Sequence, residues 1–347
     1  MTKKIAVIFG GCSTEYDISL QSASGVIAHI DRETYEPVLI GITRSGEWYL
    51  FTGPAEKIAN DTWFNPQECI RAIISPDRET KGVLVLGKYE SCVIKLDAAM
   101  PILHGKNGED GTIQGLLQLA GIPIVGCDTL SSALCMDKKR AHKLAHLAGV
   151  RVAKSYVYHS PAEAGMALTH ADGLGYPLFV KPVKSGSSFG VTKVTSRDKL
   201  SDAIKLAFEH DDTVVMEENI PGFEVGCAVM GSDNLIVGEL DEVELLDGFF
   251  DYKEKYSLET SKLHVPARIS AQKAEEMKET AKTIYKALGC SGFARVDMFL
   301  TPSGEIFFNE VNTIPGFTAH SRFPSMLKAI GMSFEQVVNG VIEQAVT

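Results

Sequence analysis

The sequence has little that would suit a secreted, membrane-spanning or nucleic-acid-binding protein. Its seven cysteines are an odd number scattered over 347 residues without a Cys-x-x-Cys pair, so we do not expect a disulfide framework. The N-terminal apolar run, residues 5–9, is too short for a signal-peptide core, and no run reaches the length of a membrane span. A net charge of -10 disfavours nucleic acid and anionic membranes as partners. These absences predict a reduced, cytoplasmic protein.

Two common nucleotide-binding signatures are also missing. The stretch KSGSSFG at 184–190 is neither a Walker A loop nor a Gly-x-Gly-x-x-Gly turn within a βαβ unit. P-loop enzymes and nicotinamide-dependent enzymes are therefore poor candidates. Internal repeats and low-complexity tracts are absent too, and 45% hydrophobic with 22% charged residues is ordinary for a globular chain. The length of 347 residues predicts two or three packed units.

The first third of the chain alternates strand and helix patterns. We predict strands over 4–11, 36–42 and 97–103, and helices over 19–30 and 111–121. Such alternation is typical of a doubly wound parallel sheet, whose ligand site lies beyond the carboxyl ends of its strands. The polar loops GGCSTE (10–15) and HGKNGEDG (104–111) occupy those ends. The first unit, 1–130, is thus expected to contribute to a ligand site.

The remainder divides into two further units, 131–221 and 222–347. We predict a helix over 136–150, strands over 177–183 and 213–219 with a hairpin over 184–194 between them, a helix over 271–288, and a strand pair over 292–300 and 305–312. The polar stretch 246–263 is long for a loop in a compact domain. Such loops are usually functional, and we predict that it is a lid.

The strand pair near the C-terminus combines buried and ionisable residues. If 301–304 form a four-residue turn, Leu300 lies opposite Glu305, and Asp297 lies opposite Phe308. Four polar side chains then share one face of the pair: Arg295, Asp297, Glu310 and Asn312. Two carboxylates and an amide suit Mg²⁺, which is normally held by a few carboxylates together with phosphates and water. Arg295 beside them would contact phosphate.

The alternative for this face is a solvated surface with an Arg–Glu ion pair. Phe299, Ile306 and Phe308 would then share that face in water, which favours the metal interpretation. The hairpin 184–194 has a similar ambiguity. Its glycines and serines would let backbone N–H groups approach a phosphate, with Lys181 adding positive charge, but any flexible hairpin has this composition.

Five motifs together resemble the D-alanine:D-alanine ligases, a branch of the ATP-grasp fold. They are GGCSTEYDIS (10–19), LHGKNGEDGTIQG (103–115), KPVKSGSSFG (181–190), FARVDMF (293–299) and NEVNTIPGFTAHS (309–321). The resemblance runs over essentially the whole chain. It implies an α/β and α+β protein, with an N-terminal doubly wound parallel-sheet (pre-ATP-grasp) domain before two ATP-grasp subdomains.

The resemblance also implies roles for particular residues. ATP would be bound by Lys138, Lys181, Glu217, Glu218, Ile220 and Glu224. Two Mg²⁺ ions, or Mn²⁺, would be held by Asp297, Glu310 and Asn312. Glu15 and Ser187 match residues that hold the first D-alanine. Arg295 and the Gly316 N–H match groups that stabilise the tetrahedral intermediate. Lys255 and Tyr256 belong to the lid, and His104 lies close to the acceptor. Taken singly, His104, Glu15 and Ser187 also have ordinary structural explanations.

Two positions bear on the second substrate. Phe250 precedes Asp251 in the lid, and Arg322 follows Ser321; both resemble the D-alanine:D-serine ligases of glycopeptide resistance, in particular the VanG type. A guanidinium could hydrogen-bond the D-serine hydroxyl, directly or through water. Alternatively, Arg322 simply pairs with an acidic neighbour, and the enzyme is an ordinary D-alanine:D-alanine ligase.

D-Lactate is a less favoured acceptor, because Lys255 and Tyr256 resemble the amine-accepting ligases. Two rivals remain: another ATP-grasp carboxylate:amine ligase, and a catalytically silent nucleotide-binding regulator, which would lack a complete metal and phosphate set. We expect a homodimer that uses D-alanine and D-serine, with no nucleic-acid or membrane partner.

Overall fold

The computed structural model describes residues 2–186, 189–245 and 261–347. Three sheets carry the described part of the chain. None of the helices in these ranges is long and apolar enough to cross a membrane.

The N-terminal sheet has the order β6-β5-β4-β3-β2-β1-β7. Its strands are β1 Lys3–Gly10, β2 Tyr35–Ile42, β3 Trp48–Phe51, β4 Cys69–Ile74, β5 Gly82–Leu86, β6 Ser91–Lys95 and β7 Ala98–Ile102. Only β2, β1 and β7 are parallel. The other strands extend the sheet in antiparallel fashion, because short turns such as 43–47 cannot accommodate the crossover that parallel strands need. The predicted parallel unit is therefore present within a mixed sheet.

Helices cover both faces of this parallel part. They are α1 Tyr16–His29, α2 Glu56–Ala59 and α3 Thr112–Ala120. On one face, α1 packs with the C-terminal helix α10 (Phe334–Val346) over Val7 and Phe9. On the other face, α3 packs over Ile8 and Ala99. The helices cover the two faces of the sheet but not its edge at the carboxyl ends of β1 and β7, where the loops beginning at residues 11 and 103 lie.

The helix predicted over 136–150 is present but begins and ends two to three residues inside that range, and a second, separate helix ends just before it. They are α4 Thr129–Met136 and α5 Lys138–Leu147. Asp137 separates them in an extended conformation, and its side chain accepts a hydrogen bond from the Arg140 N–H at 2.9 Å. Aspartate is a favoured N-cap, so it begins a new helix here. As a result, Lys138 occupies the first position of α5.

The second sheet is antiparallel and has the order β11-β10-β12-β9. Its strands are β9 Ser155–Tyr158, β10 Leu178–Pro182, β11 Thr192–Val194 and β12 Val214–Glu218, and helices α6 Ala164–Leu174 and α7 Leu200–Phe208 accompany them. Buried residues of α6 and α7 form a common core with Val180 and Met216. The predicted hairpin connects β10 to β11.

The third sheet has the order β15-β14-β13-β16-β17-β8. Its strands are β8 Arg151–Val152, β13 Phe223–Met230, β14 Ile236–Leu245, β15 Ser261–His264, β16 Phe293–Leu300 and β17 Ile306–Asn312. Helices α5 and α8 (Ala271–Ala287) pack against one face, while α9 (Arg322–Ala329) lies beside β13 and β14. The strand pair expected to carry the metal face is thus central in this sheet.

The predicted register of that pair is wrong by one residue. Leu300 pairs with Ile306, so the turn is Thr301–Glu305, and a bulge at Asn309 shifts the register so that Asp297 pairs with Glu310. An extra residue in one strand reverses the face on which later side chains emerge. Phe308 and Ile306 therefore point into the core with Met298 and Val296, whereas Glu310 emerges on the opposite face. Our expectation that Ile306 and Phe308 share the polar face is overturned.

This register predicts a sharp contrast between neighbouring phenylalanines. Phe308 is fully buried, and Phe307 is half-buried on the other face. Phe308→Ala should lower the free energy of unfolding by about 3–5 kcal/mol, because it leaves a cavity. The matched control Phe307→Ala should cost clearly less. Denaturant titration measures both, and equal costs would contradict the bulged register.

Candidate active site

Asp297 lies at the centre of the polar face formed by β16 and β17. Its side chain is only 1% exposed. Arg295 donates to it through Nε at 2.8 Å and Nη2 at 2.7 Å, and Asn312 Nδ2 donates at 2.8 Å. Glu310 is its cross-strand partner. The structure thus brings together all four side chains that the sequence analysis placed on one face, and it supplies the partners that a buried carboxylate requires.

This set fits a metal that arrives with a phosphate ligand. No group of three or more His, Cys, Asp or Glu side chains is arranged to hold a metal within residues 2–186, 189–245 and 261–347. A site here would use two carboxylates, Asp297 and Glu310, and the amide oxygen of Asn312, which points away from Asp297 because Nδ2 faces that carboxylate. Mg²⁺ is usually held by few protein ligands together with substrate phosphates.

Two buried lysines bring positive charge to the same region. Lys138, at the start of α5, has its Nζ 3.6 Å from Glu310 Oε2 and donates to the Ser185 carbonyl at 2.6 Å. Lys181, in β10, has its Nζ 2.7 Å from Glu217 Oε2. Lys138 thus lies between Ser185, after β10, and the Glu310 carboxylate of β17, whereas Lys181 is paired with Glu217 of β12. Their placement suits the phosphates of a nucleotide.

The end of β12 carries the other predicted nucleotide residues. Burial opposes ionisation of Glu217, but the neighbouring groups, Lys181 foremost, together outweigh it and lower the pKa of this carboxyl. Glu218 Oε1 accepts a hydrogen bond from the Lys154 N–H at 2.8 Å. Ile220 follows in the loop before β13, and Glu224 lies in β13. Contacts of these residues with adenine and ribose remain predictions.

His104 joins the N-terminal loop to the loop after β17. Its Nδ1 lies 2.8 Å from the Ile314 carbonyl, which only accepts, so Nδ1 carries the proton. Its Nε2 then accepts from Ser22 Oγ at 3.1 Å, and Ser22 Oγ accepts from the Phe317 N–H at 3.2 Å. Burial lowers the pKa of His104, although Glu15 opposes this. A neutral histidine therefore holds both ends of the segment that contains Gly316.

Glu109 fixes the same two loops from the other side. Its Oε2 accepts from the Gly105 N–H at 2.9 Å, and its Oε1 accepts from the Ile314 N–H at 3.0 Å. Burial, and after it the charge of Glu15, raises the pKa of Glu109 to about 8. Glu109 was not among the predicted site residues, although the acidic end of HGKNGEDG was a usable signal.

Glu15 lies in a narrow space between two loops. It precedes α1 and is 6% exposed. A Cβ added at Gly105, which has φ of +70°, would lie 2.4 Å from Glu15 Oε2, and a Cβ at Gly186 would lie 3.1 Å from it. Glycine at both positions lets the N-terminal loop and the β10–β11 loop approach this carboxylate. Glu15 is therefore next to Gly186, the last residue described before Ser187 in the sequence.

Arg322 is buried in a network of three carboxylates. Its Nε and Nη2 donate to Asp241 at 2.7 and 2.8 Å, and its Nη1 donates to Glu224 Oε1 at 2.6 Å. Nη2 is also 3.6 Å from Asp297 Oδ1. Burial disfavours the charge, but Asp241 and Asp297 outweigh it and raise the pKa of Arg322 further. The acidic-neighbour alternative is thus realised, and it orients the guanidinium beside the metal face.

Other predicted residues divide into two groups. Ser321 Oγ accepts from the Thr318 N–H at 3.0 Å, and a Cβ at Gly316 would lie 3.0 Å from this Oγ, so the two positions are adjacent. Ser187, Phe250, Lys255, Tyr256 and lid residues 246–260 lie outside the described residues.

Two family models match the chain: "D-ala D-ala ligase N-terminus" over residues 4–127 and "D-ala D-ala ligase C-terminus" over residues 148–343. The structure of the VanG D-Ala:D-Ser ligase from Enterococcus faecalis has a TM-score of 0.93 and 58% identity, with 100% of both chains covered. The vancomycin/teicoplanin A-type resistance protein VanA of Enterococcus faecium is 45% identical over 98% of this chain and 97% of its own length. A putative D-alanine–D-lactate ligase of Streptomyces coelicolor is 44% identical over 99% and 98%.

These similarities identify the fold as ATP-grasp, which confirms the predicted fold class. The chain belongs to the D-alanine:D-alanine ligase family, as the sequence motifs indicated. It is a D-Ala-D-X ligase, of a family that requires ATP and metal. The relatives differ in the acceptor that their names state, so membership of the family does not determine the second substrate of this chain.

The neutral state of His104 predicts a pH dependence of stability. Its pKa in the folded chain lies below the unfolded value of about 6.5. Below that pH the unfolded chain binds a proton that the folded chain does not, so this contribution is present above pH 6.5 and lost as the pH falls. Wild type should exceed His104→Asn in free energy of unfolding by more at pH 7.5 than at pH 5.5. Denaturant titrations at both values measure this, and a constant difference would contradict it.

Proposed function

We propose that this enzyme joins D-alanine to D-serine through a D-alanyl phosphate, with ATP as phosphoryl donor. Its product would end peptidoglycan precursors in D-Ala-D-Ser, which weakens glycopeptide binding and supports vancomycin resistance. The observation that carries the choice of D-serine is Arg322, held by Asp241 beside the metal face. The 58% identity to a VanG D-Ala:D-Ser ligase supports it.

The first step would transfer the γ-phosphoryl group of ATP to the carboxylate of D-alanine. Lys138 and Lys181 would neutralise charge on the phosphates, and Glu15 with Ser187 would hold the ammonium end of D-alanine. Two Mg²⁺ ions on Asp297, Glu310 and Asn312 would stabilise the charge that develops during phosphoryl transfer. Glu217 would hold Lys181 in position for this step through their 2.7 Å ion pair.

The second step would be attack of the D-serine amine on the acyl phosphate. Arg295 and the Gly316 N–H would stabilise the oxyanion, and the network through His104 and Glu109 would fix the Gly316 segment. The predicted lid 246–263 has its last three residues in β15; its remainder, including Lys255 and Tyr256, would exclude water that otherwise hydrolyses the acyl phosphate. We retain a cytoplasmic homodimer and the domain boundaries 1–130, 131–221 and 222–347 as parts of this proposal.

The acceptor hydroxyl would be read by the Arg322 guanidinium. Its orientation depends on the Asp241 carboxylate, which is fully buried and also accepts from the Gly226 N–H at 2.8 Å. A carboxylate fixed in this way holds the guanidinium fork in one plane, whereas a methyl acceptor gains nothing from it. Phe250 would leave space and offer no competing hydroxyl. Ser321 would support this pocket from the adjacent position.

A product assay tests the proposal directly. The enzyme is offered D-Ala, D-Ser and D-Lac together with ATP and Mg²⁺, and the products are separated by mass. We expect D-Ala-D-Ser as the main product. D-Ala-D-Ala alone would indicate an ordinary D-alanine:D-alanine ligase, and D-Ala-D-Lac would contradict amine selectivity. ATP hydrolysis provoked only by other amino acids would indicate a different carboxylate:amine ligase.

The metal assignment predicts the effect of removing one charge. Glu310→Gln keeps the shape of the side chain and should reduce turnover by about 10²-fold or more, the scale of a lost electrostatic stabiliser. The matched control is Glu305→Gln, because Glu305 is exposed and adjoins the same strand. Steady-state rates at saturating Mg²⁺ measure both. Wild-type turnover of Glu310→Gln would contradict the assignment.

The acceptor assignment predicts a change of preference. Arg322→Met should lower the D-Ser to D-Ala ratio of kcat/KM by roughly 10- to 150-fold, because a hydrogen bond to a charged group is worth about 1.5–3 kcal/mol. Phe250→Tyr should shift the ratio in the same direction, less strongly. The ratio is the appropriate readout because a general loss of stability affects both acceptors equally. An unchanged ratio would place selectivity elsewhere.

A further inference from the structure

His142 is a buried histidine to which no role has been given above. It lies in α5 four residues after Lys138, so both side chains project from the same face of the helix. The residue is only 3% exposed. Its ring meets the ring of Phe308 edge to face, with centroids 5.2 Å apart. The histidine therefore lies against β17 at the point where the bulge occurs.

One ring nitrogen of His142 binds the bulge itself. Its Nε2 lies 2.7 Å from the carbonyl oxygen of Asn309, the residue that has no cross-strand partner in the pairing of β16 with β17. A carbonyl only accepts hydrogen bonds, so Nε2 must carry the proton. A bulge leaves its extra residue outside the ladder, and a buried carbonyl without a partner is costly. His142 supplies that partner.

The other ring nitrogen, Nδ1, faces Glu217, the carboxylate that is paired with Lys181. Nδ1 is buried, has no hydrogen-bond partner among the described residues, and lies 3.8 Å from Glu217 Oε1. Burial lowers the pKa of His142, although Glu217 opposes this, so the ring is neutral and presents a lone pair to that carboxylate. A neutral ring does not compete with Lys181 for Glu217. The Lys181–Glu217 pair is thereby left intact.

We propose that His142 is a positioning residue for the metal and phosphate site, because its Nε2–H holds the bulge that turns Glu310 onto the polar face. The bulge alone decides which side of β17 this carboxylate occupies, since Phe308, two residues earlier, points into the core. From one side of α5, Lys138 lies near the Glu310 carboxylate while His142 fixes its backbone. The inference rests on the proposed function through the role of Glu310 as a metal ligand.

Two substitutions separate the hydrogen bond from the shape of the ring. His142→Phe keeps an aromatic ring against Phe308 but cannot donate to Asn309, whereas His142→Gln retains an N–H near the position of Nε2. His146→Phe, one turn further along the same helix and exposed to solvent, is the matched control. Binding of Mn²⁺ in the presence of ADP is measured by electron paramagnetic resonance, and the Mg²⁺ dependence of turnover is measured separately.

We expect His142→Phe to weaken Mn²⁺ binding and to raise the Mg²⁺ concentration for half-maximal turnover, each by tenfold or more, as suits a misplaced charged ligand. The KM for D-alanine should stay within about twofold, since Glu15 lies against Gly105 and Gly186, which are not part of β17. His142→Gln should stay within about threefold of wild type, and His146→Phe should match it. Wild-type Mn²⁺ binding by His142→Phe, or equal defects in both His142 variants, would overturn the inference.

A second measurement decides the case in which His142→Phe does not fold. Nitrogen-15 spectra of histidine-labelled wild type, assigned by comparison with His142→Gln, should show a proton on Nε2 and none on Nδ1. A proton on Nδ1 alone would overturn the inference, because such a ring cannot donate to the Asn309 carbonyl. If wild type itself shows neither Mn²⁺ binding nor ligase turnover, the proposed function fails instead, so the two failures are distinguishable.

Discussion

The burial of the Asp297 carboxylate is the constraint on which the site depends. A charge that is almost fully removed from water persists only if neighbouring donors replace the solvent. Arg295 and Asn312 supply those donors from the same strand pair, and Arg322 approaches from α9. Arg322 in turn requires Asp241 in β14 and Glu224 in β13. One buried charge thereby fixes the relative positions of four strands and a helix.

Two residues of the N-terminal sheet's 104–111 loop, His104 and Glu109, connect that loop to the strand pair that carries Asp297. His104 and Glu109 bind opposite polar groups of Ile314, two residues beyond Asn312. Because these bonds join the 104–111 loop to the end of β17, a displacement of either loop would reach the metal face. The 104–111 loop also approaches Glu15 closely. A Cβ at position 105 would lie 2.4 Å from Glu15 Oε2, and the φ of +70° there also favours glycine.

Much of the fold and the composition of the polar face could be predicted from sequence, for identifiable reasons. Strong periodic patterns predicted β1, β10 and α8 to within one residue and α1 with its start three residues late, and alternation placed Asp297 and Glu310 together. The register was wrong because a bulge has no sequence signal of its own. The one-residue error at the turn and the extra residue of the bulge add to a shift of two, which leaves Glu310 on the predicted face. Asp241 and His142 were missed because their partners are distant in sequence and meet only in the folded chain.

The central claim is that this carboxylate face holds a divalent metal that comes with the nucleotide. Anomalous scattering from crystals grown with ADP and Mn²⁺ tests it most directly, because it locates the metal without any assumption about turnover. The account predicts at least one peak in direct coordination with both Glu310 and Asp297 or Asn312, on the side of Lys138 and Lys181. A nucleotide bound with its metal elsewhere, and no peak at Glu310, would contradict it.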